Sequence, residues 1–224
     1  FYNPATTGSD NFTYTVFGIA PCSNDFSIVS VTNNALPDAG QNAAHTVCEN
    51  DAAFNMLNFL AGTPQAGGSW TDAASTTVSN LFDPSSMSGG VFTYTVLGLS
   101  PCPSGSANLT VTVNPLPTAV ISTSTPTICN GNNATIDFTF TGTASFDVTY
   151  NDGSGNTTQT INNTTGSIVV SPTVTTTYTL VNVSDANLCS QSVSGSITIT
   201  VTPGADAGAN GNINVCENSA TFNL

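Results

Sequence analysis

"DNFTYTVFGIAPC" (residues 10–22) and "GVFTYTVLGLSPC" (residues 90–102) are one phrase written twice, 80 residues apart. In the second copy Phe92, Tyr94 and Val96 fall on one side of an extended chain, and Thr93 and Thr95 on the other. Alternation of period two with one polar side marks a half-buried antiparallel strand. Gly and Pro then punctuate its end, and a cysteine stands eight residues beyond the tyrosine. Internal repetition dictates architecture, so the copies set the frame for everything else.

Working outward, residues 1–37 align with 81–117 at an offset of 80 without a gap, and Leu36-Pro37 meets Leu116-Pro117. Residues 38–56 align with 206–224 at an offset of 168, where "DAGQNAAHTVCENDAAFN" meets "DAGANGNINVCENSATFN". Four segments follow. Residues 38–117 form a complete repeat, and 118–203 a complete, divergent one. Residues 1–37 match the C-terminal half of a repeat, and 204–224 the N-terminal part of a further one. The expectation is a window on a longer tandem array. The joints "NALPDAG", "NPLPTAV" and "TPGADAG" are short and contain Pro, which restricts φ and favours extended neighbours, so stiff joints are expected.

Strand patterns fill the repeats. "ANLTVTVN" (107–114) sets Ala107, Leu109, Val111 and Val113 against polar residues. "TIDFTFT" (135–141) sets Ile136, Phe138 and Phe140 on one face, and "SITITVT" (196–202) sets Ile197, Ile199 and Val201. Turn signals separate them, and "AAFNMLNFL" (52–60) is the one stretch of ambiguous type. About seven short strands in a repeat predict an all-β fold, a tandem array of immunoglobulin-like β-sandwich domains. The array would form an elongated rod with roughly 30–40 Å per unit, at about 3.3 Å per strand residue.

Composition excludes several roles. None of the 224 residues is Lys or Arg, against 13 acidic residues and one His, for a formal net charge of −13. Nucleic acid needs cations to neutralise its phosphates, and an anionic membrane surface needs them too, so neither partner is expected. No apolar run is long enough to span a bilayer, and no membrane insertion is expected. Apolar residues make up 39%, with 12 Phe and 5 Tyr, which is unlike a disordered chain. Burial, β-ladders and cystines must hold the fold.

Six cysteines in a Thr- and Asn-rich all-β sequence point to an oxidising compartment. The repeat frame favours Cys48–Cys102 and Cys129–Cys189. An immunoglobulin topology, however, sets the early and late cysteines of one unit at opposite poles, which leaves Cys48–Cys189 between neighbours as the alternative. A third pattern, Cys22–Cys48, Cys102–Cys129 and Cys189–Cys216, uses all six. Cα atoms must approach within about 7 Å in any true pair.

No catalytic, cofactor or metal site emerges, and no enzyme activity is expected. His45 is expected on the surface of a loop-like stretch, and Trp70 in the core on the third strand. Asp152 in "YNDGSGN" belongs to a hairpin turn. "CEN" (48–50, 216–218) recurs with the repeat, so Glu and Asn there are expected to cap turn amides. Seven Asn-x-Ser/Thr sequons (Asn11, Asn108, Asn133, Asn156, Asn162, Asn163, Asn182) are what a chain rich in Asn and Thr produces.

"VCENDAAFN", "GTPQAGGSWTD", "FDPSSMSGGVFTYTVLGLSPC" and "ANLTVTVNPLP" resemble the tandem repeats of giant cell-surface adhesins of Bacteroidetes, of the SprB-like gliding-motility type. "TICNGNNATIDFTFTG", "VSPTVTTTYTLVNVSDANLC" and "SGSITITV" are similar to the PKD- or Ig-like modules interleaved with them. The resemblance implies type IX secretion and an extracellular, cell-surface filament. It implies a stalk segment that projects a distal binding region and bears tension in attachment or gliding. Its partners would be adjacent repeats, an external surface or polysaccharide met through other regions, and a cell-surface carrier protein. The competing expectation is a polysaccharide- or Ca²⁺-dependent ligand-binding module. That reading needs an exposed aromatic platform or an acidic Ca²⁺ cluster, and it gains if Trp70, Tyr94 and Tyr150 lie exposed on one face.

Overall fold

The computed structural model of the chain describes residues 1–205 and Glu217. Cys216 and nearly all of the expected last repeat lie outside the described residues. The chain divides into two compact units, Phe1–Pro115 and Leu116–Leu224.

The first unit carries β1 (Asp10–Val16), β2 (Asp25–Val31), β3 (Ala43–Cys48), β4 (Phe54–Asn55), β5 (Ser69–Thr71), β6 (Thr77–Val78), β7 (Leu81–Phe82), β8 (Gly90–Val96) and β9 (Gly105–Asn114). Five strands form a sheet in the order β3-β9-β8-β5-β6, and β4-β7 makes a second, two-stranded layer. Among the described residues β1 and β2 pair with each other. The ambiguous stretch resolves into β4 and a 3-10 turn, Met56–Phe59, whose first amides meet the side chain of Asn55 through Leu57 N (3.0 Å). Burial of Met56, Trp70, Phe82, Phe92, Tyr94, Leu109 and Val111 between the layers builds the core. The predicted alternation is obeyed: Ala107, Leu109 and Val111 are buried while Asn108, Thr110 and Thr112 are exposed.

The second unit carries β10 (Thr118–Thr123), β11 (Thr127–Cys129), β12 (Ala134–Thr141), β13 (Phe146–Asn151), β14 (Asn156–Ile161), β15 (Thr165–Val170), β16 (Thr176–Ser184), β17 (Ser190–Ser192) and β18 (Ser196–Thr202). The sheet β10-β12-β15 faces the sheet β11-β18-β16-β13-β14, and β17 adds to β16. Phe140 stacks on Phe146 at 4.7 Å, and Phe138 meets Tyr150 at 6.3 Å, across the sandwich.

In both units an early strand joins the last strand in parallel, β3 with β9 and β11 with β18, while the sheets are otherwise antiparallel. This order, with Trp70 buried on β5, is that of an immunoglobulin-like sandwich. The outward faces hold together without cations through cross-strand hydroxyl pairs: Thr118–Thr141 (2.6 Å), Thr149–Thr158 (2.8 Å) and Thr177–Thr198 (2.9 Å). Such pairs contribute a few tenths of a kcal/mol to about 1 kcal/mol each.

The repeated phrase folds the same way twice. Phe12 pairs with Val29, Tyr14 with Ser27 and Val16 with Asp25; 80 residues on, Phe92 pairs with Leu109, Tyr94 with Ala107 and Val96 with Gly105. Tyr2 meets Phe12 edge-on at 5.7 Å, as Phe82 meets Phe92 at 5.5 Å. Gly18 and Gly98 sit where a Cβ would strike the backbone across the turn, at the carbonyls of Ser23 and Cys102 respectively.

Candidate functional surfaces

The structure corrects the expected cystines. Cys48 and Cys189 are disulfide-bonded, whereas Cys22, Cys102 and Cys129 are free thiols. The favoured pairs Cys48–Cys102 and Cys129–Cys189 are therefore not formed. Geometry within each unit gives the reason. Cys48 lies beside Asn114, at the far end of β9, and Cys102 precedes the near end of β9 at Gly105. The ten-residue strand separates them, roughly 30 Å at 3.3 Å per residue, where a cystine tolerates about 7 Å. Likewise Cys129 lies beside Thr202 at the end of β18, and Cys189 precedes that strand. The free Cys102 donates its thiol to Asn34 O at 3.5 Å.

The aromatic platform needed by a sugar-binding reading does not exist at the expected residues. Trp70 and Tyr94 are 2% exposed and Tyr150 is 7% exposed. Tyr94 packs on Trp70 at 5.0 Å, and its hydroxyl donates to Gln65 O (2.6 Å) and accepts from Gly68 N (2.8 Å). His45 departs from expectation. It lies in β3 rather than a loop and is half-buried, stacked on Phe59 at 3.7 Å and edge-on to Phe54 at 4.9 Å. A ring sandwiched by apolar rings is a packing element, not a base held by a carboxylate.

Asp152 closes the β13-β14 turn, its carboxylate accepting from Ser154 N (2.9 Å) and Ser154 Oγ (2.7 Å). These hydrogen bonds hold its pKa below the usual carboxylate value. It borders an open cleft of roughly 760 Å³ together with Tyr150, Pro172, Thr175 and Tyr178. Burial, then the Asp152 charge, raises the pKa of both tyrosines. Among the described residues no three His, Cys, Asp or Glu side chains gather as a metal site. Next to the "CEN" residues, the carboxylate of Asp51 accepts from Cys48 N (2.7 Å).

The hairpin β1-β2 lies in residues 1–37, expected as the C-terminal half of a repeat. Its inward-type residues Phe12, Tyr14 and Val29 are 41%, 69% and 58% exposed. Their counterparts Phe92, Tyr94 and Leu109 are 5%, 2% and 0% exposed.

The fold and these surfaces define a tandem immunoglobulin-like β-sandwich protein. No family model and no curated protein sequence matches the chain. Solved structures with overlapping folds include the three-Ig I-band fragment of titin (14% identity, 88% of this chain and 75% of that one, TM-score 0.45). They include the N-terminal eight Ig domains of Down syndrome cell adhesion molecule (10%, 87% and 27%, TM-score 0.45). A further one is a 1.5-MDa bacterial ice-binding adhesin (16%, 87% and 74%, TM-score 0.36). The strand order, not these overlaps, assigns the fold class.

Proposed function

We propose that this chain is a stalk segment of an extracellular repeat adhesin or filament. It projects a distal binding region and bears tension in surface attachment or gliding motility, after type IX secretion to the cell surface. The observation that supports it is the parallel pairing of the first and last strands in a repeat: β3 runs alongside β9 over six residues, Ala43–Cys48 against Leu109–Asn114. Pulling on the two ends of residues 38–117 draws β3 backward and β9 forward. That loads the whole ladder in shear, so its hydrogen bonds must fail together instead of one at a time. A cystine suits an oxidising exterior. The partners proposed are adjacent repeats, a carrier protein at the cell surface, and an external surface reached by other regions. The role is mechanical, without catalysis. The ligand-binding alternative loses support because Trp70, Tyr94 and Tyr150 are buried.

Force spectroscopy on the chain spliced between marker domains tests this. With the cystine reduced, each complete repeat should yield in one abrupt step, releasing about 270 Å of chain for ~80 residues at roughly 3.4 Å each. Smooth extension at low force, without discrete steps, would refute a tension-bearing role.

A further inference from the structure

The cleft bordered by Asp152 lies within the second unit, between the β13-β14 turn and the loop 171–175 that joins β15 to β16. All of its walls come from residues 150–178, and β16 separates β13 and β14 from β18, the strand that leads toward residue 203. Tyr150 and Tyr178 line it while only 7% and 4% exposed, their rings 6.0 Å apart. Neither hydroxyl has a hydrogen-bond partner in the chain, and among the described residues no fully buried polar side-chain atom lacks one. Both hydroxyls therefore open into the cleft.

The first unit shows that the fold does not require them. Trp70 pairs with Tyr94 as Tyr150 pairs with Leu180. That register sets Trp70 in the place of Tyr150, Phe92 in that of Tyr178 and Asp72 in that of Asp152. Trp70 and Phe92 fill the core without a hydroxyl. Taking a hydroxyl out of water without a partner costs free energy, so the two phenols point to a group outside the chain. Asp152 faces the same space. Its two bonds to Ser154 both fall on Oδ1, which leaves Oδ2 for a ligand.

Charge and shape select the ligand. Burial, then the Asp152 charge, keeps both phenols protonated, and a neutral phenol oxygen still accepts a hydrogen bond. The cleft thus gathers a carboxylate and two phenol oxygens, and a lysine ammonium has three donors and no acceptor. The net charge of −13 draws a cation in. With no Lys or Arg, neither this chain nor a second copy of it supplies such a side chain. Val170 and Pro172 offer an apolar wall for a butyl stem. A sugar finds hydroxyl edges here and no exposed ring face to stack on. A calcium ion takes about six to eight oxygens, and Asp152 is the one carboxylate lining the cleft.

We infer that this cleft is a docking site for a lysine side chain of a partner protein, its ammonium held by Asp152 and by the hydroxyl oxygens of Tyr150 and Tyr178. The inference does not depend on the stalk reading.

The test is an NMR titration of the isotope-labelled full chain with a capped Gly-Gly-Lys-Gly-Gly peptide. The expected result is saturable shifts at the amides of Gly153, Ser154, Thr175 and Tyr178, absent at Ala74 and Phe92 of the first unit, and weakened by salt. Acetylating the lysine of the peptide should weaken binding by about tenfold or more, the loss of one hydrogen bond to a charged group. Asp152→Asn, which keeps an acceptor for the turn, should do the same, and so should Tyr150→Phe combined with Tyr178→Phe. Should the double variant fail to fold, Asp152→Asn lies in the turn and still decides. A peptide that shifts none of these amides overturns the proposal. So do an acetylated peptide that binds like the parent peptide and variants that bind like the parent chain. Butylamine that binds where the peptide does not reveals a pocket for free amines and overturns the partner lysine. Calcium chloride or maltotriose that shifts these amides where the peptide does not overturns it in favour of a metal or a glycan.

Discussion

Tyr94 and Tyr14 occupy the same place in the repeated phrase, yet removing their hydroxyls should have very different consequences. Tyr94 is 2% exposed, and its hydroxyl serves two backbone groups, Gln65 O at 2.6 Å and Gly68 N at 2.8 Å. Tyr94→Phe keeps the ring on Trp70 but strands both groups. A hydrogen bond contributes about 1 kcal/mol net, and Gln65 is exposed and Gly68 half-buried, so water can take up part of the loss. A loss of about 1–2 kcal/mol in the first unit follows. For a domain of this size each kcal/mol moves Tm by about 4–8 °C, so the transition should fall by roughly 5–15 °C. Tyr14 is 69% exposed, and Tyr14→Phe should stay within about 0.5 kcal/mol. Differential scanning calorimetry of the full chain reads both variants, with the second unit as internal reference because its core is a separate cluster. Equal costs for the two variants, or a Tyr94→Phe protein as stable as the parent, would refute the reasoning.

Asp185→Ala should destabilise the second unit by about 3 kcal/mol in urea titration, since three amides lose a charged acceptor (Thr143 N 3.0 Å, Asn187 N 3.0 Å, Cys189 N 3.2 Å); Asp185→Asn, which keeps one carbonyl oxygen, should recover part of it. Alkylation of the native, unreduced chain followed by peptide mapping should label Cys22 and Cys129 quickly and the half-buried Cys102 more slowly, and should recover Cys48 and Cys189 only in disulfide-linked peptides. The pKa values of Tyr150 and Tyr178 are raised in the folded state, so their contribution is complete below pH 10 and is lost as pH rises through the raised values. Melting temperature should accordingly decline above about pH 10, and Tyr150→Phe should blunt the decline. Asp83 and Asp152 behave in the opposite sense: their folded values lie below 3.8, so what they contribute is present above that pH and disappears as pH falls through the lowered values.

The strands were legible because a half-buried strand must alternate, and residues 107–114, 135–141 and 196–202 alternate without interruption. β3 was harder, although Ala43, His45 and Val47 do alternate inward. One polar ring among short apolar residues looks like a loop until Phe54 and Phe59 are folded around it. The cystines could not be settled by spacing. Repeat frame favours partners within a unit, but β3 and β9 run parallel, which sends Cys48 to the end of β9 remote from Cys102. Strand direction is a property of the assembled sheet and not of the intervals between cysteines. The Asp51 contact with Cys48 N adds a carboxylate that reaches back three residues, which the recurrence of "CEN" does not reveal because Ser219 stands at the matching place in the last repeat.

The absence of Lys and Arg changes what carboxylates do in this fold. With no Lys or Arg to face, several close turns by accepting backbone amides, while Asp137 and Asp147 accept the cross-strand hydroxyls of Ser167 and Thr160. Asp38 takes Gly40 N, Asp51 takes Cys48 N, Asp72 takes Ala74 N and Thr76 N, Asp83 takes Ser85 N, and Asp152 takes Ser154 N. Asp185 does the same while 6% exposed, anchoring the loop that ends at Cys189. An amide cannot wander as a lysine can, so these contacts cost little side-chain entropy and fix the loop that carries them. They are also local, within a few residues in all but the Asp185–Thr143 bond. Turns secured this way leave cohesion between strands to burial and the β-ladder. Salt then has few attractive charge pairs to screen, and a net charge of −13 to relieve. A fold of this composition gains stability as ionic strength rises, where one built on surface ion pairs would lose it.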